Sequence, residues 1–494
     1  MKKIVNILLI AVVSSMSLAC SEDIMDEINK DVNSALKMQT RFTITNLMLS
    51  TPFRAASDYA FYASVYIEHA VGTWNQTYQA EQRINEPASA STYNNSWNSQ
   101  YRDMHDLLVV IEKCSQGGDE EGNYHTLGIA QILLAYNLAQ LTDLMGDVPW
   151  SEACQPGEIF SPKIDKQQDI YNDIMKLLDD GIANLGRTTT FLNLGTQDLL
   201  YGGNASRWIK AGYGLKARSL MRLSLKSPKY ADVLAAINLS FANATEEMRF
   251  NYNGSTTRNP FARFYTDRQG HLSGSRSMRE KLLVRNDPRK DVFWVYPAGG
   301  GLDVLANFPE NGNSAQDQVS YARSALSSST YAVSGVRNSA PTFMMSYHEL
   351  LFLKAEAHVR LNQIAEAEAA LKQAVIAAFA QINNITGGLT PAMAENYFEN
   401  EVKPLFDANP LSEVMTQKYL SFFECEAIEA YNDYRRCKAM GDAWTNGFLK
   451  NPLQFPLRFT YGQSDVNTNS NVNEAFGNGQ YVYNENVWWA GGNR

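Results

Sequence analysis

The sequence predicts an all-α protein in which paired helices form a scaffold and long loops cover it. Three observations predict this. Apolar residues recur at helical spacing in several long segments. Two consecutive segments carry small residues where paired helices approach closely. Between the helical segments lie stretches rich in Gly, Asn, Ser and Thr, in which the periodicity fades.

Taken in order, the first clear helix runs from His125 to Met145, with Ile129, Ile132, Leu133, Tyr136, Leu141 and Leu144 at close to helical spacing. Gly146 ends it and Pro149 lies just beyond. Gln167 to Leu185 is a second amphipathic segment, and Ser206 to Leu225 a third, apolar at Trp208, Leu215, Leu220 and Leu223. The clearest pair is Met345 to Leu361 and Ile364 to Gln381, joined at Asn362-Gln363. It resembles a tetratricopeptide repeat, with small residues at Ala355, Ala367 and Ala374 and Leu371 between the last two. A further helix is predicted over about Ser412 to Lys438. It would hold Cys425 and Cys437 about 18 Å apart, too far to pair within it. Trp97 and Tyr101, at i and i+4, and Trp208 read as core residues, and Trp488-Trp489 as packing anchors. Two loop-rich segments are expected, at about 50–100 and 250–341, and the tail after Pro452 reads as mostly irregular.

The first twenty residues carry a separate message. Lys2 and Lys3 precede an apolar run from Ile4 to Leu18, and Ser17-Leu18-Ala19-Cys20 closes it. This reads as a signal peptide over 1–19, cut before a Cys20 that is acylated as in bacterial lipoproteins. The acyl chains would then tether residues 20–494, read as one domain, to a membrane face. A net charge of −9 argues against nucleic acid as a partner, since that role needs clustered Lys and Arg.

Signals for chemistry are weak. Cys114, Cys154, Cys425 and Cys437 have neither close-pair nor metal-like spacing and are expected to be free. The six His form no zinc motif. No Gly-x-Ser-x-Gly elbow is present, and Gly299-Gly300-Gly301 lacks the Lys and Ser/Thr of a phosphate loop. Asp465-x-Asn467-x-Asn469 starts like a calcium loop, but Ser470 stands at its sixth position and Phe476 at its twelfth. The expectation is a binding protein with no catalytic residues, no metal and no cofactor.

Several motifs together resemble the SusD/RagB family of outer-membrane nutrient-binding lipoproteins. They are Gln140 to Ala153, containing Gly146-Asp147-Val148-Pro149; Arg207-Trp208-Ile209-Lys210 with Arg218 and Arg222; Asp287-Pro288-Arg289; Gln417-Lys418-Tyr419 with Glu429 to Arg436; and Arg458-Phe459-Thr460-Tyr461 with Asn467 to Asn473. They occur in the family's order over most of residues 20–494. The chain departs from the family at Tyr419 and Tyr431, where Trp is common, and at Gly462, where Pro is common. The resemblance implies a SusD-like helical fold and a surface-exposed lipoprotein, with Ser21-Glu22-Asp23 similar to the family's export signal. It implies capture of oligosaccharide and delivery to a SusC-like TonB-dependent transporter in the outer membrane. A peptide-binding member of the family and a helical-repeat protein-interaction scaffold are the alternatives.

Most of the motif residues read as structural. Arg218 and Arg222 lie four apart on one helix face and are expected to pair with acids, and Arg435-Arg436 to be buried in carboxylate pairs. Ligand contact is expected instead from aromatics in polar settings. Trp74 and Tyr78 sit in Gly72-Thr73-Trp74-Asn75-Gln76-Thr77-Tyr78-Gln79, and Tyr265, Tyr296 and Tyr321 lie in the loop-rich middle. A flat ring covers the apolar face of a sugar, while neighbouring Asn, Gln, Asp and Arg bond its hydroxyls.

Overall fold

The computed structural model describes residues 38–84, 91–317 and 321–493, so the signal segment and Cys20 lie outside the described residues. The chain forms α1 (Thr40–Ala55), α2 (Asp58–Tyr66), β1 (Ala70–Gly72), α3 (Asn75–Glu81), α4 (Asn94–Cys114), α5 (Tyr124–Met145), β2 (Val148–Pro149), β3 (Ile164–Asp165), α6 (Gln167–Leu185), α7 (Ala205–Arg222) and α8 (Tyr230–Asn238). The middle holds β4 (Met248–Phe250), α9 (Pro260–Asp267), β5 (Leu272–Gly274), α10 (Arg276–Leu283), β6 (Trp294–Val295), β7 (Arg323–Ser324) and β8 (Thr342–Met345). Then follow α11 (Tyr347–Arg360), α12 (Ile364–Thr386), α13 (Pro391–Tyr397), α14 (Lys403–Ala408), α15 (Pro410–Ser421) and α16 (Ala427–Met440). Three short helices, α17 (Gln463–Thr468), α18 (Ser470–Phe476) and α19 (Tyr481–Asn484), end the chain.

The helices pack serially. α1 lies on α4, α4 on α5, α5 on α6, α6 on α7, α7 on α8, α8 on α11, and α11 on α12. Each helix buries one face against the next, as in stacked helical repeats. Small residues set the spacing. A Cβ at Gly128 of α5 would stand 2.6 Å from the Gly181 carbonyl oxygen of α6, so the two backbones meet where both residues are glycine. In the predicted repeat pair, Ala355, Ala367, Leu371 and Ala374 are all fully buried, and Asn362 turns the chain at φ +58. Ser346 caps α11 by accepting the Glu349 N–H.

The family-like motifs lock these helices together from inside. Arg218 pairs with Glu349, and Arg222 with both Asp143 and Glu429. Arg436 holds Glu356 through two hydrogen bonds of 2.7 Å, with both side chains fully buried. Arg289 clasps Asp287 and reaches Gln417 and Ser421 on α15. Arg458 donates to the Met145 carbonyl, and the Tyr461 hydroxyl donates to the Asp147 carbonyl (2.9 Å). The tail is thereby tied to the end of α5, and the expectation of structural roles holds for these residues.

Three expectations need correction. Residues 50–100 are not loop-rich, because α1, α2, α3 and α4 occupy most of that segment. Most of its aromatic residues are core. Tyr59, Tyr62, Tyr66, Tyr93 and Trp97 are buried, and the Tyr93 ring stacks on Phe459 at 4.3 Å between centroids. Tyr59 and Tyr93 are buried against Phe459, a residue more than 350 positions away, while Trp97 is core as its helical spacing predicts. The helix predicted over Ser412 to Lys438 is two helices, broken at Phe422–Glu426, where Glu424 takes φ +59. Cys425 sits in that turn, not on a helix shared with Cys437, and both remain free with Cys114 and Cys154. The tail is also more regular than predicted, since three short helices pack within it.

Candidate functional site

Short strands gather the loop-rich middle around the end of β1. β1 pairs antiparallel with β5, and β6 with β7. The Gly274 N–H donates to the Ala322 carbonyl (2.8 Å), which joins the two pairs. Beyond the end of β1, the Thr73 N–H donates to the His271 carbonyl and the Asp317 N–H to the Thr73 carbonyl, each at 2.9 Å. The ladder links the segments that carry Trp74, two residues past β1, Tyr296, one past β6, and Tyr321, two before β7. All three are half-buried, as is Tyr78 one helical turn after Trp74. Partial burial leaves ring surface for a ligand while neighbours hold the ring in place.

A glycine and a buried acid hold this arrangement. A Cβ at Gly72 would fall 1.8 Å from the Thr77 carbonyl oxygen, so only glycine lets α3 fold back on β1 and present Trp74 and Tyr78 together. Glu81, at the end of α3, is fully buried. Its Oε1 accepts from the Gly312 N–H (2.6 Å) and the Asn451 side-chain amide (3.1 Å), and its Oε2 from the Gly72 N–H (3.4 Å). One carboxylate thus ties together β1, α3, the loop that runs on to Asp317, and the tail. Burial raises its pKa from 4.5 to about 7 against the opposing pull of Arg83 and the Gly312 N–H.

Of the aromatics predicted to bind ligand, Tyr265 is the correction. It is 3% exposed and belongs to the core, so no ring face is open. It lies on α9, whose apolar residues Phe261, Ala262 and Tyr265 face inward, a periodicity too short to separate from a polar loop in the sequence. Tyr296 remains accessible, set edge-on to Phe308 at 6.2 Å between centroids. Burial raises its hydroxyl pKa to about 12, so it is a neutral hydrogen-bonding group at working pH.

Two concavities were not foreseen. One, of about 1470 Å³, is walled by α1, α2, α4 and residues 252–268. It meets α3 through Gln76 and Gln79, on faces other than that of Trp74 and Tyr78. The other, of about 600 Å³, lies beside the α11–α12 hairpin and is mainly apolar, lined by Phe343, Tyr347, Leu351, Ile376 and Ala377 among others. Neither is visible in the sequence, because each is assembled from segments far apart in the chain.

Among the described residues no group of three or more His, Cys, Asp or Glu could hold a metal ion. Asp465, at the start of the calcium-like segment, accepts the Trp97 indole N–H at 2.9 Å, and the segment is helical. Burial raises the pKa of the Cys114, Cys154 and Cys437 thiols to about 12, which leaves them unreactive. Among the described residues no helix is long and apolar enough to cross a membrane.

Comparison with known proteins agrees with this architecture. Residues 31–462 match the sequence family SusD-like_2, described as "Starch-binding associating with outer membrane". A SusD/RagB family crystal structure from Bacteroides thetaiotaomicron is 40% identical, covers 92% of this chain and 100% of its own, and superposes with a TM-score of 0.85. A chitin-binding SusD homologue from Flavobacterium johnsoniae shares the fold at 16% identity and a TM-score of 0.68, over 91% of this chain and 98% of its own. A candidate nutrient-binding outer-membrane protein of Bacteroides vulgatus does so at 18% identity and a TM-score of 0.72, over 92% of this chain and 100% of its own. No curated protein matches the chain. The chain belongs to the SusD/RagB family. It is a SusD-like protein of a family described as associating with the outer membrane.

Proposed function

We propose that this protein captures oligosaccharide at the cell surface with Trp74, Tyr78, Tyr296 and Tyr321 and passes it to a SusC-like TonB-dependent transporter. The observation that supports the reading is the backbone ladder around β1, β5, β6 and β7, which links three distant segments that each carry a half-buried ring. Rings held this way stack on sugar faces, and release needs no chemistry. A few stacked rings and hydrogen bonds give affinities around mM to μM, about −4 to −8 kcal/mol. Acyl chains on Cys20 tether the protein to the outer membrane, and sharing that membrane raises the effective concentration of protein and transporter, so a modest interface stays engaged.

Calorimetry with a panel of glycans tests the site, starting with chito-oligosaccharides because two proteins of the same fold are described as chitin-binding. Trp74→Ala should weaken binding by about 1.5–3 kcal/mol while circular dichroism stays unchanged. Normal binding by the folded variant would place the ligand elsewhere. Recovery of the native protein from mild detergent, with crosslinking, should bring down a large outer-membrane barrel, and its absence would remove the transporter from the proposal. The apolar groove beside α11 and α12 favours protein contact on that face, which fits a scaffold role alongside ligand capture.

A further inference from the structure

We propose that the cavity walled by α1, α2 and α4 is a second ligand site, built for an oligosaccharide that carries carboxylate groups. At about 1470 Å³ it exceeds the roughly 300–1,000 Å³ of pockets that hold one drug-sized molecule, so it has room for an oligomer. The ring cluster does not line it. Trp74 and Tyr78 are not among its lining residues, while Gln76 and Gln79 of α3 are.

Its charge sets it apart from the rest of the molecule. In a chain of net charge −9, the lining carries five arginines against three aspartates. Two of the aspartates are already engaged, Asp103 with Arg54 and Asp267 with Arg263 (3.2 Å). Asp58 takes a hydrogen bond from Ser96 (3.3 Å), and burial raises its pKa. Among the described residues Arg258 and Arg268 have no ion pair, and both are exposed. Arg102 stands 3.9 Å from Asp103, with its side chain 70% exposed. Deeper in, Arg54 is 4% exposed and its Nε has no hydrogen-bond partner. The planar guanidinium fork matches a carboxylate and is bidentate where geometry allows.

The wall between these charges fits a sugar better than a peptide. Phe53, Phe61 and Phe264 supply aromatic surface, and Ser57, Asn95 and Ser99 supply neutral hydrogen-bonding groups. Helices form most of it, and their backbone groups are paired within themselves, so no strand edge is open for a peptide main chain to extend. Neutral side-chain donors and acceptors suit hydroxyls, and the arginines at the rim suit acid groups along an oligomer.

This site does not depend on the ring-cluster reading, and either can fail without the other. Titration of the full-length protein with hexagalacturonate tests it, with the methyl ester of that hexamer and hexaglutamate as controls. We expect hexagalacturonate to bind more weakly as salt rises, the methyl ester at least about tenfold more weakly, and Arg258→Gln/Arg268→Gln to lose about tenfold in affinity. Both arginines are exposed, so that variant should fold. Asn95→Trp, a change at an exposed helix position, should obstruct part of the cavity and weaken binding at least about tenfold. Trp74→Ala should leave hexagalacturonate affinity unchanged. No hexagalacturonate binding, equal binding of the ester, or full affinity in both cavity variants would overturn the proposal. A loss confined to Trp74→Ala would overturn it by placing the acid sugar on the ring cluster. Tighter binding of hexaglutamate would overturn the saccharide class.

Discussion

Glu81→Gln should change how stability depends on pH, and the structure gives both sign and size. Glu81 is fully buried under the ring cluster and accepts from Gly72, Gly312 and Asn451. Burial outweighs these donors and Arg83, so its pKa rises from the ordinary 4.5 to about 7. Between those values the folded protein holds a proton that the unfolded chain has released. The stabilising contribution is therefore complete below pH 4.5, falls as pH rises, and is gone above about 7. A rise of that size corresponds to about 3 kcal/mol. Glutamine cannot titrate, and its amide replaces one acceptor with a donor, so the variant takes a fixed cost at every pH. Urea unfolding from pH 4.5 to 8 should show the wild type losing about 3 kcal/mol relative to Glu81→Gln over that interval. Other buried acids, such as Glu424 with a pKa raised to about 7, act on both proteins alike and cancel in the difference. Parallel stability curves would refute the reasoning and show that the carboxylate's donors and Arg83 fully offset burial. Because Glu81 links β1 to the Gly312 loop, ligand affinity measured over the same range should follow its titration if ring placement depends on that link.

The remaining predictions concern packing and anchoring. Arg436→Ala leaves Glu356, at 0% exposure, with only Arg360 at 3.2 Å, and should cost about 3 kcal/mol in chemical denaturation. A change within experimental error would mean that Arg360 alone satisfies Glu356. Cys20→Ala should shift the protein from the membrane fraction to a soluble or unprocessed form, and unchanged membrane association without lipid on the mature N-terminus would reject the anchor.

The paired helices were legible because helical periodicity is local. α5 (Tyr124–Met145), α6 (Gln167–Leu185) and the α11–α12 hairpin follow the sequence reading to within a few residues at most ends, apart from α12, which continues to Thr386. The buried arginines were legible for a related reason. Arg218, Arg222 and Arg436 find the carboxylate partners expected of core-facing arginines, whereas Arg435 is held by the Leu457 and Asp143 carbonyls and the Asn432 side chain. The break between α15 and α16 was not, since Phe422 to Glu426 contains neither Gly nor Pro and Glu424 adopts positive φ under tertiary constraint.

What the sequence by itself determined was the helical framework, the helix ends at Gly146 and Asn362, and the character of the family motifs, all of which depend on neighbours within a few turns. The fate of the aromatics outside the long periodic helices was decided only by the tertiary structure. Tyr59 and Tyr93 look no more apolar in context than Trp74, yet Phe459 from the tail covers them. Tyr265 is buried within the loop-rich middle, while Tyr296 and Tyr321 stay half-exposed at strand ends. Whether a ring faces the core or a ligand depends on what distant segments bury against it, and no local pattern records that contact.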